Sequence, residues 1–261
     1  AVLPQVETVD MRVEAANGNK SIISNLLYDR VSEALETGHQ SILLLNRRGF
    51  NTYISCPNCK SVMNCENCSI SLTYHSANNR LMCHYCGTSV PYADRCPVCG
   101  CERMKYSGIG TQKAEEELKE LFPGARILRM DADSTSSRQD YEKHLGDFAD
   151  CKYDILLGTQ MVAKGLNFPK VTVVGVLNAD MSMHNSDFRS YERTFSLLTQ
   201  VVGRSGRGED KGTAVIQTNE PDNNIISLAA EQNYEAFYDS EILTRRLMVY
   251  PPYCNIATVV F

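Results

Sequence analysis

Apolar runs of strand length alternate along this chain with segments whose apolar positions recur at helical spacing, which predicts a parallel sheet covered by helices. Asn25 to Thr37 places Leu26, Leu27, Val31, Ala34 and Leu35 on one helical face and stops at Gly38, ahead of the strand-like Ser41 to Leu45. The same unit recurs. A helix over Ala114 to Phe122 is closed by Pro123-Gly124 and leads to a strand over Ala125 to Met130, and a helix over Ser137 to Leu145 leads to a strand over Tyr153 to Leu157. Val171 to Leu177 is almost continuously apolar, as a strand buried on both faces must be. A helix over Ser190 to Val202 then precedes a strand over Thr213 to Gln217. These strands predict five members of one α/β sheet. Val6 to Val13 is strand-like at the start, Tyr234 to Met248 reads as a helix broken by Tyr250-Pro251-Pro252, and Asn255 to Phe261 reads as the opening of a further strand. An apolar run at the end of the chain predicts a segment of a longer protein.

Between the first of these strands and the second helix the pattern changes. Four Cys-x-x-Cys pairs occupy the interval: Cys56/Cys59, Cys65/Cys68, Cys83/Cys86 and Cys96/Cys99. Eight thiolates match two tetrahedral all-cysteine zinc sites, closed shells with no position left for a substrate, so the metal is structural. No basic n-region and apolar h-region opens the chain, and paired Cys-x-x-Cys turns without a secretory signal fit metal in a reducing compartment better than disulfides. The pairs are separated by five, fourteen and nine residues. Sequential, interleaved and nested sharing of the metals are all open. Nesting is favoured because the middle pairs have close to zinc-ribbon spacing. Ile70 to His75 and Arg80 to Met82 read as a hairpin turning at Ser76 to Asn79, and Gly87 and Gly100 stand where a knuckle turn needs positive φ. His75 and His84 are surplus to eight cysteines, and Cys101, Cys151 and Cys254 read as small, partly buried thiols.

The 261 residues are 43% hydrophobic and 22% charged, an ordinary globular composition, and no apolar run reaches the roughly 18 to 20 residues that cross a bilayer. The expected compartment is the cytoplasm. A net charge of -5 excludes a global basic field for nucleic acid, so any such contact is local. Two basic clusters qualify, Arg47-Arg48 and Arg204 to Arg207, and each equally fits a solvated surface turn.

The second cluster lies in Gln200-Val-Val-Gly203-Arg204-Ser-Gly-Arg207 at a helix end, where two forked, permanently charged guanidinium groups on a Gly-rich turn suit a phosphate. Upstream, the strand Ile155 to Gly158 opens into a polar loop carrying Thr159, Lys164 and Gly165, and the carboxyl end of a strand is where open α/β sheets bind ligands. This pair of segments, about forty residues apart, resembles motifs V and VI of superfamily 2 helicases.

The resemblance extends through the chain. Leu3-Pro4 with Val9-Asp10-Met11-Arg12, Asn46-Arg47-Arg48-Gly49-Phe50, Gly108-Ile-Gly-Thr111, Asp187-Phe-Arg189-Ser-Tyr-Glu192-Arg193 and Pro251-Pro252 are similar to the PriA family of bacterial replication-restart DNA helicases, to which an eight-cysteine insertion inside a helicase lobe is particular. Gln112 and Ser205 depart from the family pattern, at positions given no central role. The resemblance implies a RecA-like second helicase lobe with an inserted double-zinc module. It divides the chain into a first part of the lobe (1–50), the cysteine-rich insertion (51–106), the rest of the lobe (107–249) and the start of a C-terminal domain (250–261).

It further implies that Gln200, Gly203, Arg204 and Arg207 face ATP, with Arg204 and Arg207 as catalytic arginines. Thr111, Thr159, Lys164, Arg47 and Arg48 are then the DNA contacts, and the eight cysteines hold two structural zinc ions. ATP and Mg²⁺ would serve the full-length protein, since this sequence carries neither Gly-x-x-x-x-Gly-Lys-Ser/Thr nor Asp-Glu-x-His. The implied partners are forked and single-stranded DNA, single-strand-binding protein, other primosome proteins and a first helicase lobe, at the nucleoid. The alternative is a non-catalytic zinc-ribbon adaptor on an α/β scaffold, which accounts for the cysteines but not for the spaced motifs.

Overall fold

The computed structural model describes residues 4–45, 54–56, 58–59, 61–67, 71–75, 79–83, 86–92, 94–102, 105–106, 111–131, 138–159, 168–183, 187–204 and 212–257. Six parallel strands form the main sheet: β1 (Gln5–Asp10), β2 (Gln40–Leu44), β8 (Ile127–Met130), β9 (Ile155–Gly158), β10 (Val171–Val176) and β11 (Thr213–Thr218), in the spatial order β1-β11-β10-β2-β9-β8. The helices are α1 (Met11–Ala16), α2 (Asn25–Glu36), α3 (Thr111–Leu121), α4 (Arg138–Ala149), α5 (Ser190–Val202), α6 (Asn224–Ala230) and α7 (Tyr234–Leu247). Between β2 and α3 lie β3 (Ile54–Ser55), β4 (Thr73–His75), β5 (Arg80–Met82), β6 (Ser89–Pro91) and β7 (Lys105–Tyr106). They form a two-stranded β3-β7 ladder and a three-stranded β4-β5-β6 sheet, both antiparallel.

Burial follows position in the sheet. All five residues of β2 and all four of β9 are buried, whereas edge strand β1 has none buried and edge strand β8 alternates. Successive residues of a strand point to opposite faces. Ile42 and Leu44 therefore join α4, α5, α6 and α7 through Phe148, Phe195, Leu198, Ile226 and Phe237. Leu43 and Leu45 join α2 and α3 through Leu27, Val31, Ala114 and Leu118. The result is a three-layer α/β/α lobe with an apolar layer on each side of the sheet.

Helix α2 shows how closely these layers meet. Ser24 caps it by accepting the Leu27 N–H at 3.2 Å, and Gly38, at φ +73, turns the chain into β2. Leu27 lies so tightly on β10 that a Cβ at Gly175 would fall 2.8 to 2.9 Å from the Leu43 and Leu27 methyl groups. That is why the otherwise branched run of β10 holds a glycine.

The structure corrects the sequence reading in several places. The sheet has six strands, because the opening segment, strand-like but uncounted, pairs in parallel with β11 from Gln5 to Asp10. It also stops earlier than Val13: the Asp10 side chain accepts the Arg12 N–H and starts α1. Helix α6, capped by Asn223, and strand β6 were not anticipated, each being too short to show a period. Residues 255–257, at the start of the expected final strand, are irregular, and 258–261 lie outside the described residues.

Candidate functional site

Sulfur positions fix which cysteine pairs share a site. Cys56, Cys59, Cys96 and Cys99 gather with all four Sγ atoms within 4.8 Å of one another, and Cys65, Cys83 and Cys86 form a second such group. The outer pairs are thus together and the inner pairs are together, the nested arrangement. Cys68, the expected fourth member of the inner group, lies outside the described residues.

The local backbone builds both groups alike. Cys83 N–H donates to the Thr88 carbonyl at 2.8 Å and Cys96 N–H to the Cys101 carbonyl at 2.8 Å, while Gly87 and Gly100 donate back to Cys83 and Cys96 at 2.9 Å. Gly87 (φ +74) and Gly100 (φ +72) take the left-handed conformation expected of them. A hydroxyl two residues after a cysteine touches sulfur in each group, Ser61 against Cys59 and Thr88 against Cys86, both at 3.0 Å.

The geometry fits a tetrahedral metal. Zn–S bonds of about 2.3 Å imply sulfurs about 3.8 Å apart, and Cys56–Cys99, Cys59–Cys96 and Cys65–Cys86 are separated by 3.5, 3.6 and 3.6 Å. The outer thiols are also discordant as acids. Burial pushes Cys56 up to about 12. Burial raises Cys96 too, but the Ser61 hydroxyl and the N–H groups of Cys99 and Val98 outweigh it and bring Cys96 down to about 6. A bound divalent cation would hold all four as thiolates. Of the remaining cysteines, Cys101 and Cys254 are partly buried, but Cys151 is exposed, contrary to the sequence reading.

In the main sheet, Thr159 follows β9 at the carboxyl edge, its N–H directed to the Met130 carbonyl at 3.3 Å. Thr111 opens α3 at the same edge. It is buried, and its hydroxyl donates to Asp131, which also faces Arg129 Nε at 3.3 Å. The Thr111 side chain therefore braces the edge from inside rather than presenting itself to a ligand.

Gln200, Gly203 and Arg204 occupy the opposite end. β10 and β11 are parallel, so the connection between them must return from the carboxyl edge to the amino edge, and α5 makes that return. Thirteen residues of α5 span about 20 Å, the length of a six-residue strand. Gln200 is exposed, and Gly203 and Arg204 are half-buried in the turn that ends α5, with N–H groups donating to the Thr199 and Val201 carbonyls at 3.0 and 2.9 Å. The carboxyl-end rule therefore serves Thr159 but not the arginine turn. Arg207, Lys164, Arg47 and Arg48 lie outside the described residues.

Two buried polar residues at the carboxyl edge escaped the sequence reading. Gln217 Nε2 donates to the Ile22 and Leu177 carbonyls at 2.7 and 3.1 Å, and its Oε1 accepts the Ser24 N–H at 2.8 Å, joining β11, the exit of β10 and the entry to α2. Asp180 accepts from the Thr218 hydroxyl and from the Asn219 N–H and Nδ2 at 2.7 and 2.9 Å. Burial raises its pKa against the lowering effect of those bonds. The available signal was a polar residue closing an apolar strand, Ile216-Gln217-Thr218 and Leu177-Asn-Ala-Asp180.

Residues 65–91 match the PriA DNA helicase Cys-rich region (CRR) domain, and residues 103–209 match the helicase conserved C-terminal domain. The replication restart protein PriA of Bacillus subtilis is 49% identical over 258 residues, which is 99% of this chain and 32% of that protein. The replication restart protein PriA of Chlamydia trachomatis is 42% identical over 261 residues, 98% of this chain and 34% of that protein. The chain thus spans about a third of the length of these curated relatives. Among solved structures, RecG bound to a three-way DNA junction aligns with 94% of this chain and 22% of its own at a TM-score of 0.49 and 13% identity.

Proposed function

This chain belongs to the PriA family of replication restart proteins, and we propose that it acts as the second, RecA-like motor lobe of an ATP-dependent DNA helicase that remodels stalled forks. One observation carries the reading: Gln200 near the end of α5 and Arg204 in the turn after it lie at one edge of the sheet, while Thr159 stands at the other. A lobe that converts nucleotide turnover into movement along a strand needs two such separated surfaces.

In this reading a first lobe binds ATP, with Mg²⁺ neutralising phosphate charge there. This lobe brings Arg204 and Arg207 to the γ-phosphoryl group, whose developing negative charge their guanidinium forks stabilise, and Gln200 and Gly203 shape the same turn. Thr159 and Lys164 face single-stranded DNA at the carboxyl edge, and Arg47 and Arg48 meet phosphate where β2 leads into the insertion. Thr111 contributes by holding that edge together through Asp131. Opening and closing of the cleft between lobes then moves the pair along the backbone. The two cysteine groups each hold a structural zinc ion and keep the insertion rigid beside the DNA fork. Forked DNA, single-strand-binding protein and other primosome proteins are the proposed partners, in the cytoplasm at the nucleoid.

The test is ATP turnover. Arg204→Ala or Arg207→Ala in the full-length protein should lower kcat by about 10³-fold, the scale of removing an arginine finger, and the isolated chain should hydrolyse no ATP. Wild-type turnover by Arg207→Ala would overturn the assignment of the arginines. Robust hydrolysis by the isolated chain would overturn the two-lobe reading.

A further inference from the structure

The stretch that follows β10 is anchored by buried polar side chains that the reading above leaves without a role. At its start, Asp180 is fastened to the end of β11 by the Thr218 hydroxyl and by both N–H donors of Asn219. Ala179 N–H donates to the Gln217 carbonyl at 3.0 Å beside it. Two residues on, Ser182 joins its hydroxyl to that of Thr194 in α5 at 2.7 Å, and Thr194 in turn donates to the Ser190 carbonyl at 2.8 Å. Thr194 has one proton and gives it to Ser190, so Ser182 is the donor to Thr194. Asp180, Ser182, Ser190 and Thr194 are all buried.

Hydroxyls and a carboxylate cost free energy to bury, and an apolar contact would join a helix to a sheet as well. What directional bonds add is a fixed axial position, since ridges of apolar side chains allow a helix to slide and a hydroxyl pair does not. Thr194 and Gln200 lie on one continuous helix, and Arg204 follows in the turn that ends it. About 1.5 Å of rise per residue puts Gln200 some 9 Å beyond Thr194. A displacement of the carboxyl edge is thereby delivered to the arginine turn as a shift of a rigid rod.

We infer that Asp180, Ser182 and Thr194 are positioning residues that latch the first turns of α5 to the carboxyl edge of the sheet, coupling strand engagement there to the placement of Gln200 and Arg204. This rests on the motor reading above, and deepens it by naming the element through which one edge acts on the other.

The experiment measures ATP turnover by the full-length protein with and without oligo-dT as the single-stranded probe, alongside Tm. Thr194→Val keeps the shape and removes the hydroxyl, and Ser182→Ala removes the same bond from the other side. Each is expected to leave turnover without DNA within about twofold of wild type while lowering the stimulation by oligo-dT about tenfold. The double variant should lose no more than Thr194→Val alone, because that substitution already removes the Ser182–Thr194 bond. Unchanged stimulation would overturn the latch. So would a fall in turnover without DNA that matches the fall with it and tracks Tm, since that is the mark of a packing role alone. Arg204→Ala runs beside them as the control for the underlying reading: if it retains wild-type turnover, the motor assignment fails and takes the latch with it, whatever the latch variants do.

Discussion

The α/β lobe and the cysteine insertion solve the same problem with different materials. In the lobe, alternate residues of six strands enter two apolar layers, and leucine, isoleucine, valine and phenylalanine carry the burial. In the insertion, the buried cluster among the described residues is Ile54, Cys56, Cys65, Leu72, Leu81, Cys83 and Cys96, four of the seven being cysteines. The strands there are two or three residues long. Among the described residues, so few buried apolar side chains cannot offset the conformational entropy of ordering such short elements. Metal coordination must supply the difference, and the lobe needs no such help.

Stripping the metal tests this contrast most severely. A chelator should unfold the insertion, since structural zinc contributes on the order of 10 kcal/mol to small domains, while the six-stranded lobe stays folded. Limited proteolysis would then cut between residues 46 and 110 and spare the flanking sheet. Coincident loss of both regions would break the comparison. A smaller effect is expected from Gly175→Ala, whose new methyl group meets Leu27 and Leu43 at 2.8 to 2.9 Å. Overpacking of that kind costs about 1 to 3 kcal/mol. It should lower the unfolding midpoint of the lobe in denaturant and leave zinc content unchanged.

The smallest effect separates surface charge from both cores. Asp154 accepts from Arg126 N and Nε at 2.8 and 3.0 Å, and the guanidinium holds its carboxyl below the ordinary range against the opposing effect of burial. A carboxylate with a lowered folded pKa stabilises at pH values above its unfolded pKa of about 3.9 and loses that contribution as pH falls through the folded value. Arg126→Ala should therefore reduce stability slightly at neutral pH, and the difference from wild type should vanish under acid. A difference that grows in acid would contradict the assignment.

Much of this was readable in advance, for identifiable reasons. The interiors of β2, β9 and β10 are continuous apolar runs because central parallel strands have no wet face, and α5 was found with its observed ends because its buried positions repeat at helical spacing. β1, half-exposed on both faces, read as a strand but carried too little pattern to be counted in the sheet, and α6, seven residues long, carried too little to be found. Thr111 looked like a ligand contact in sequence, since an exposed and a buried threonine are written alike.

By itself, then, the sequence determined the α/β alternation, the metal-binding insertion and the positive-φ turns at Gly87 and Gly100, all of which depend on residues near one another in the chain. Tertiary structure settled the nested pairing of the cysteines, which spacing favoured among three, and it alone decided the burial of Thr111 against Asp131 and the placing of Thr159 and Arg204 at opposite edges of one sheet. Each of those depends on closing a loop whose length the chain tolerates at little entropic cost, so local spacing constrains it weakly and packing settles it.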